Sequence, residues 1–346
     1  MNLTSDTLDD IWCGVTVMAG GGGGDPETAR RDIEQAAVLP VTVAPLAELV
    51  ADATVITAFG VGSVGATESN RVTALETALS VFTGETGISP DAVMPVEVGA
   101  GTVAEACLAA DALDVPIVDA DHVGLRCAPD IQLETITLAG LDRTPLIAAT
   151  ADETCIIRSA DRPTEIEERL RDLASERTWY VLGYPFTAAQ LRGTIETGWT
   201  GRARELGRAL RQQQLGNING VTVLAEGTLM DADLEEIDGF TVGRLTVDAG
   251  AGRYDIYIKN ENIMVLRDGK CVSAAPENIT VIDTGQIRAV YNGAPPAPGT
   301  EVRVVEIAPS PLWDTAAGRD LFSPVQLGFT VEDSVVRYKD IKKWEH

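Results

Sequence analysis

Lysine is nearly absent from this chain. Of 346 residues only five are lysine, and none precedes Lys259. A Gly-Lys-Ser/Thr phosphate loop is therefore excluded from everything upstream of that residue. Histidine is scarcer still, with His122 and the final residue, His346. A metal centre built on two or three histidines is excluded, and any metal would rest mainly on carboxylates. The five cysteines, Cys13, Cys107, Cys127, Cys155 and Cys271, are odd in number, scattered and without a C-x-x-C pair. Free thiols are expected rather than disulfides or a zinc site. No apolar run is long enough to span a bilayer, and Met1–Asp6 has neither a basic region nor an apolar core. The expectation is a soluble, cytoplasmic protein without a membrane partner.

Acid, by contrast, is abundant. Asp and Glu number 52 against 27 Lys and Arg, for a formal charge of −25. Many carboxylates with few lysines fit a halophilic surface, one adapted to salt that screens self-repulsion. The same charge repels phosphates, so nucleic acid is not an expected partner. A 45% hydrophobic content over this length allows two domains.

Five consecutive glycines, Gly20–Gly24, end in Asp25 and Pro26. The preceding apolar run, Ile11–Met18, reads as a strand, and Pro26–Ile33 reads as a helix start with Asp25 as its N-cap. Such a loop either is a tight capped turn or brings Gly22 and Gly23 to a ligand. A dinucleotide is disfavoured because the second strand, Pro40–Pro45, ends in proline where an acid would bind ribose. Neither nicotinamide nor flavin is expected. Further apolar runs are followed by Gly60–Gly65, by Gly99–Gly101 and by Asp119–Asp121. Thr102–Glu105 reads as a capping box. Four loops in succession along one sheet edge mark a ligand site in an open parallel sheet. The expected fold is α/β. A mostly parallel domain over residues 1–160 is followed by a bridging helical segment over 161–215 and a β-rich domain over 216–335.

Asp119-Ala120-Asp121-His122 is the densest polar cluster after a strand. It could share acid–base work or hold a divalent metal, and its alternative is a set of capping aspartates. Glu97 closes an apolar strand, where a carboxylate needs a partner or a role. Arg126 could clamp a substrate carboxylate or form an ordinary ion pair. Cys127 could be a nucleophile only if its pKa were lowered, and a buried inert thiol is the simpler reading. Glu68 near a helix start is explained by the helix dipole alone. Asn260 and Glu261 read first as a hairpin turn and second as groups facing an interdomain cleft.

The ordered motifs resemble those of the S-methyl thiohydantoin desulfurase family, from about Trp12 to Phe329. The matching segments are Gly20–Pro26, Gly62–Ala66 with Glu68, Glu97–Gly99, Pro116–Asp121 with Gly124, Arg126 and Pro129, Lys259–Asn262 and Ala275–Ile279. The resemblance implies an N-terminal α/β domain, a β-rich C-terminal domain and a small-molecule substrate with a thiohydantoin-type ring. The candidate substrate-binding positions are Gly22, Gly23, Asp25, Gly62, Glu68, Gly99, Arg126, Asn260 and Glu261. In the resulting reading Asp119, Asp121, His122 and Glu97 do the chemistry as a hydrolase, with a metal on Asp119, Asp121 and His122 left open. The alternative is an accessory subunit of a hydantoinase- or oxoprolinase-type system, and self-association is also left open. Residues 122–129 depart from the family's Asp-Ala-Asp-Gly-Met-Gly-Arg-Ala-Phe-Pro pattern, and Ala100 replaces a glycine. Both changes fall inside the expected site.

Overall fold

The computed structural model describes residues 2–62, 70–175, 177–332 and 335–338. Glu68 and His346 lie outside them. The chain begins with β1 (Asn2–Leu3) and then α1 (Ser5–Met18), not with a strand. The strand reading of Ile11–Met18 fails because Leu8, Ile11, Trp12, Val15 and Met18 recur at helical spacing, and all are buried. The glycine loop follows and leads into α2 (Pro26–Ala36). Asp25 caps α2 by accepting the N–H groups of Glu27 and Thr28, as the Asp-Pro pair predicts.

The first domain continues through β2 (Val41–Ala44), β3 (Thr54–Val61), α3 (Arg71–Thr86), β4 (Ala92–Pro95), α4 (Ala100–Leu113), β5 (Ile117–Val118), β6 (Ala120–Asp121), β7 (Leu146–Ala149) and β8 (Thr154–Ile157). After α5 (Pro163–Leu173), strand β9 (Trp179–Thr187) returns to the same sheet, whose order is β1-β2-β5-β4-β3-β9-β7-β8. Only β2, β5, β4 and β3 are mutually parallel; every other pairing is antiparallel. The sheet is therefore mixed rather than mostly parallel. The 161–215 segment is not simply helical, because β9 is an apolar run buried between β3 and β7. β10 (Glu196–Thr197) pairs with β6, and α6 (Trp199–Arg211) packs beside α1.

The second domain comprises β11 (Val221–Ile237), β12 (Phe240–Asp248), β13 (Arg253–Lys259), β14 (Glu261–Arg267), β15 (Lys270–Asp283), β16 (Arg288–Ala289) and β17 (Glu301–Ile307). Pairing runs β14-β13-β12-β11-β17-β15, and β15 pairs again with β14, so the sheet closes into a barrel. Closure removes the exposed edges of an antiparallel sheet. Leu229, Leu245, Ile256, Val265, Val281 and Val304 pack together in its core. Among the described residues no helix is long and apolar enough to cross a membrane.

Candidate active site

Both domains line a cavity of about 810 Å³. Its floor is set by the glycine loop, which is tied to each side. The carbonyls of Gly20 and Gly21 accept the N–H groups of Asn262 and Asn292 from the barrel, and Gly23 O accepts Gly101 N–H from α4, each at 2.8 Å. Two positions show why side chains are excluded. A Cβ on Gly22 would lie 1.8 Å from Glu261 Oε1. One on Gly23, whose φ is +71°, would lie 2.6 Å from Gly99 Cα and 2.7 Å from Cys127 Sγ. The loop is thus a turn capped by Asp25 that also forms a wall of the cavity.

Glu97 follows β4 and lines the cavity. Its Oε2 accepts Ala128 N–H at 3.0 Å, and the Cys127 thiol bonds to the same side chain. Burial pushes its pKa up to about 7, with Glu105 and Glu134 adding repulsion. Glu261 opens β14 just beyond Asn260, which holds the left-handed turn at φ +55°. Glu261 is buried, and its Oε2 has no hydrogen-bond partner. Burial, then the charge of Glu97, raises its pKa well above the ordinary carboxylate value, against the pull of Arg126. The two glutamates therefore reach one cavity from different domains. Asn260, Gly62 and Asp25 also line it, and Gly99 backs it by N-capping α4 against Gly23.

Asp119, Asp121 and His122 do not line this cavity and do not converge. Asp119 Oδ1 accepts Thr200 N–H at 2.9 Å at the start of α6. Asp121 is fully buried. Its Oδ1 accepts the N–H groups of Val123 and Gly124, and its Oδ2 that of Leu125, all at 2.7 Å. His122 shares a 2.9 Å hydrogen bond with Thr57 and lies edge-on to Tyr184 and Phe186. Burial lowers its pKa to about 3, so it is neutral. A divalent metal does not fit this set, because both oxygens of Asp121 are filled by backbone donors. Among the described residues no group of three or more His, Cys, Asp or Glu is placed to hold a metal ion. Arg126 is not a clamp at the cavity wall. It is buried over the Phe322 ring and donates to the carbonyls of Cys127 and Pro276. Cys127 is buried with its pKa raised well above the ordinary thiol value by burial and by Glu97 and Glu261, which keeps it a neutral thiol.

Sequence reasoning missed one cluster. Glu105 was expected to complete a capping box, but α4 starts three residues earlier, at Gly99, whose N–H donates to the Thr102 hydroxyl. Glu105 instead meets Arg71, which also pairs with Asp32, at one side of the cavity. The available signal was a charge amid an alanine-rich apolar helix, which burial would leave uncompensated without a partner.

The class is thus a two-domain protein in which a mixed α/β sheet and a closed β-barrel share a carboxylate-lined cavity. More narrowly, the chain belongs to the S-Me-THD-like (S-methyl thiohydantoin desulfurase-like) family. The family's N-terminal domain matches residues 6–160, and its C-terminal domain matches residues 161–336. No curated protein matches the sequence. A crystal structure of a protein from Chromobacterium violaceum shares the fold, with a TM-score of 0.78 at 18% identity over 95% of this chain and 97% of that one.

Proposed function

We propose that the protein is a hydrolase that cleaves the exocyclic C–S bond of an S-methyl thiohydantoin-type ring. Family membership supports the substrate class. The observation that carries the reading is the meeting of Glu97 and Glu261 in one cavity, where burial holds both above the ordinary carboxylate value and the charge of Glu97 opposes ionisation of Glu261. Two carboxyl groups that repel each other in this way share a proton, one serving as base and the other as acid at neutral pH. Ionised Glu97 takes a proton from water as its oxygen bonds to the ring carbon that carries sulfur. Protonated Glu261 gives its proton to the adjacent ring nitrogen. The tetrahedral intermediate then collapses and the C–S bond breaks. The hydroxyl proton returns to Glu261, and Glu97 passes its proton to the departing methanethiolate. The products are the hydantoin-type ring and methanethiol, and both glutamates are restored. The N-terminus of α4, which meets the cavity at Gly101 and Thr102, favours the negative charge that develops on the departing sulfur.

Asp121 takes a positioning role in this account, holding the turn that leads to Arg126, Cys127 and Ala128 behind Glu97. We propose as well that the acidic, lysine-poor surface is adapted to high salt. The functional test is release of methanethiol from S-methyl thiohydantoin by the purified protein in high salt. Stoichiometric release supports the reading. No release from any S-methyl ring, together with co-purification of a hydantoinase-type subunit, would favour an accessory role instead.

A further inference from the structure

Nine Asp and Glu side chains and four Arg line the cavity among the described residues. All four arginines are engaged by acids of the protein itself. Arg30 meets Asp9 and Glu34, Arg71 meets Asp32 and Glu105, Arg171 meets Glu167, and Arg288 meets Glu27. A substrate carboxylate would have to displace one of these partners to gain an arginine. The deep carboxylates are placed the other way. Glu261 is 2% exposed, and its Oε2 lacks a donor. Arg126 attracts it; Nε and Nη1 of Arg126 donate to two backbone carbonyls, and its buried Nη2 is left without an acceptor. Glu97 is met by the Ala128 N–H and the Cys127 thiol, both uncharged. Asn292 Oδ1, against Gly21, is another buried acceptor without a donor. At Glu261, then, an acceptor oxygen lies buried at the cavity without a donor of its own.

We propose that the site selects rings whose N–C–N unit is cationic, namely cyclic isothiouronium and amidinium groups, with ring N–H groups donating to Glu261 and Glu97. This rests on the hydrolase reading and refines its substrate class. A neutral ring becomes such a cation on binding: the O–H bond of Glu261 breaks, an N–H bond forms on the ring, and a carboxylate–amidinium pair results. The ring carbon is then a stronger electrophile for water. A ring that arrives already protonated brings its own charge, so Glu261 must lose its proton to solvent. The other charged groups facing the pair pull both ways. Arg126 and Arg171 favour ionised Glu261, whereas Glu105 and Glu134 oppose ionisation of Glu97.

The test is titration calorimetry of the full chain in two buffers of different ionisation enthalpy at neutral pH. The probes are 2-methylthio-2-imidazolinium, a cyclic isothiouronium, and a hydantoin with a propionate tail. The cation should bind at least about tenfold more tightly than the carboxylate-tailed ring and release about one proton per site. In Glu261→Gln, with thermal unfolding confirming the fold, that proton release should vanish. Tighter binding of the carboxylate-tailed ring, or cation binding by the native protein without proton release, overturns the inference. Methanethiol release from a neutral ring would survive that outcome. Conversely, cation binding with proton release but no methanethiol release from any S-methyl ring would remove the hydrolase reading alone.

Discussion

Glu97 and Glu261 sit where desolvation resists their ionisation, so their substitution separates chemistry from stability. Glu97→Gln and Glu261→Gln should each lower kcat/KM for methanethiol release by about 100-fold or more, measured by steady-state kinetics. Neither should unfold the protein, because burial opposes the ionisation of both carboxylates more than their neighbours support it. The sign of the pH effect follows from the shift. Glu97 has an ordinary value of 4.5 and a folded value of about 7. Between these values the folded protein keeps a proton that the unfolded chain releases, so this group's contribution falls as pH rises from about 4.5 to about 7. Unfolding midpoints of Glu97→Gln should therefore decline less over that window than those of the native protein. Asp121 behaves differently. Asp121→Asn replaces an acceptor oxygen with a donor facing backbone N–H groups. It should cost about 1–3 kcal/mol in denaturant unfolding, along with activity. A variant of full stability and no activity would instead give Asp121 a direct part in the reaction.

The helices α1 and α6 meet at two glycines. A Cβ on Gly14 would lie 1.7 Å from Ala203 O, and one on Gly207 would lie 1.8 Å from Asp10 O. Gly207→Ala should therefore force the helices apart and cost about 1–3 kcal/mol by urea unfolding. The glycine loop is constrained equally tightly. Gly22→Ala would drive a methyl into the Glu261 carboxylate and should lower activity far more than stability. At this scale the sequence was partly legible. The Asp25-Pro26 cap, the apolar strand that precedes Gly60–Gly65 and the Asn260 turn follow local rules of capping, periodicity and turn chemistry, and each is found, whereas only Ile117–Val118 of the run before Asp119 is strand. The helical nature of Ile11–Met18 was present in its spacing but obscured by valine and isoleucine, whose strand preference is overridden by packing on α6. The return of β9 to the first sheet depends on contacts distant in sequence, which no local pattern encodes. The same holds for the site. Glu97 and Glu261 are each conspicuous as acids beside apolar strands, yet only the docking of barrel on sheet unites them. The Asp119–His122 cluster follows a strand, which suggests catalysis, but its two aspartates accept backbone N–H groups and His122 bonds to the Thr57 hydroxyl.

The cavity belongs to the whole molecule, since neither domain alone supplies both glutamates. Charge acts at the same scale. With a net charge of −25, self-repulsion should weaken the compact state at low ionic strength, so the melting temperature should rise from about 0.1 M to about 2 M NaCl. Scanning calorimetry checks this, and a flat response would remove the salt-adapted reading. The central claim is that Glu97 and Glu261 together perform the C–S hydrolysis. Its most direct test is the pH profile of kcat/KM for methanethiol release by the native protein and by Glu97→Gln. The account predicts a native rate that rises as Glu97 ionises, around pH 7, and a variant about 100-fold slower with that limb gone. A Glu97→Gln enzyme with the native rate and the native profile would contradict it.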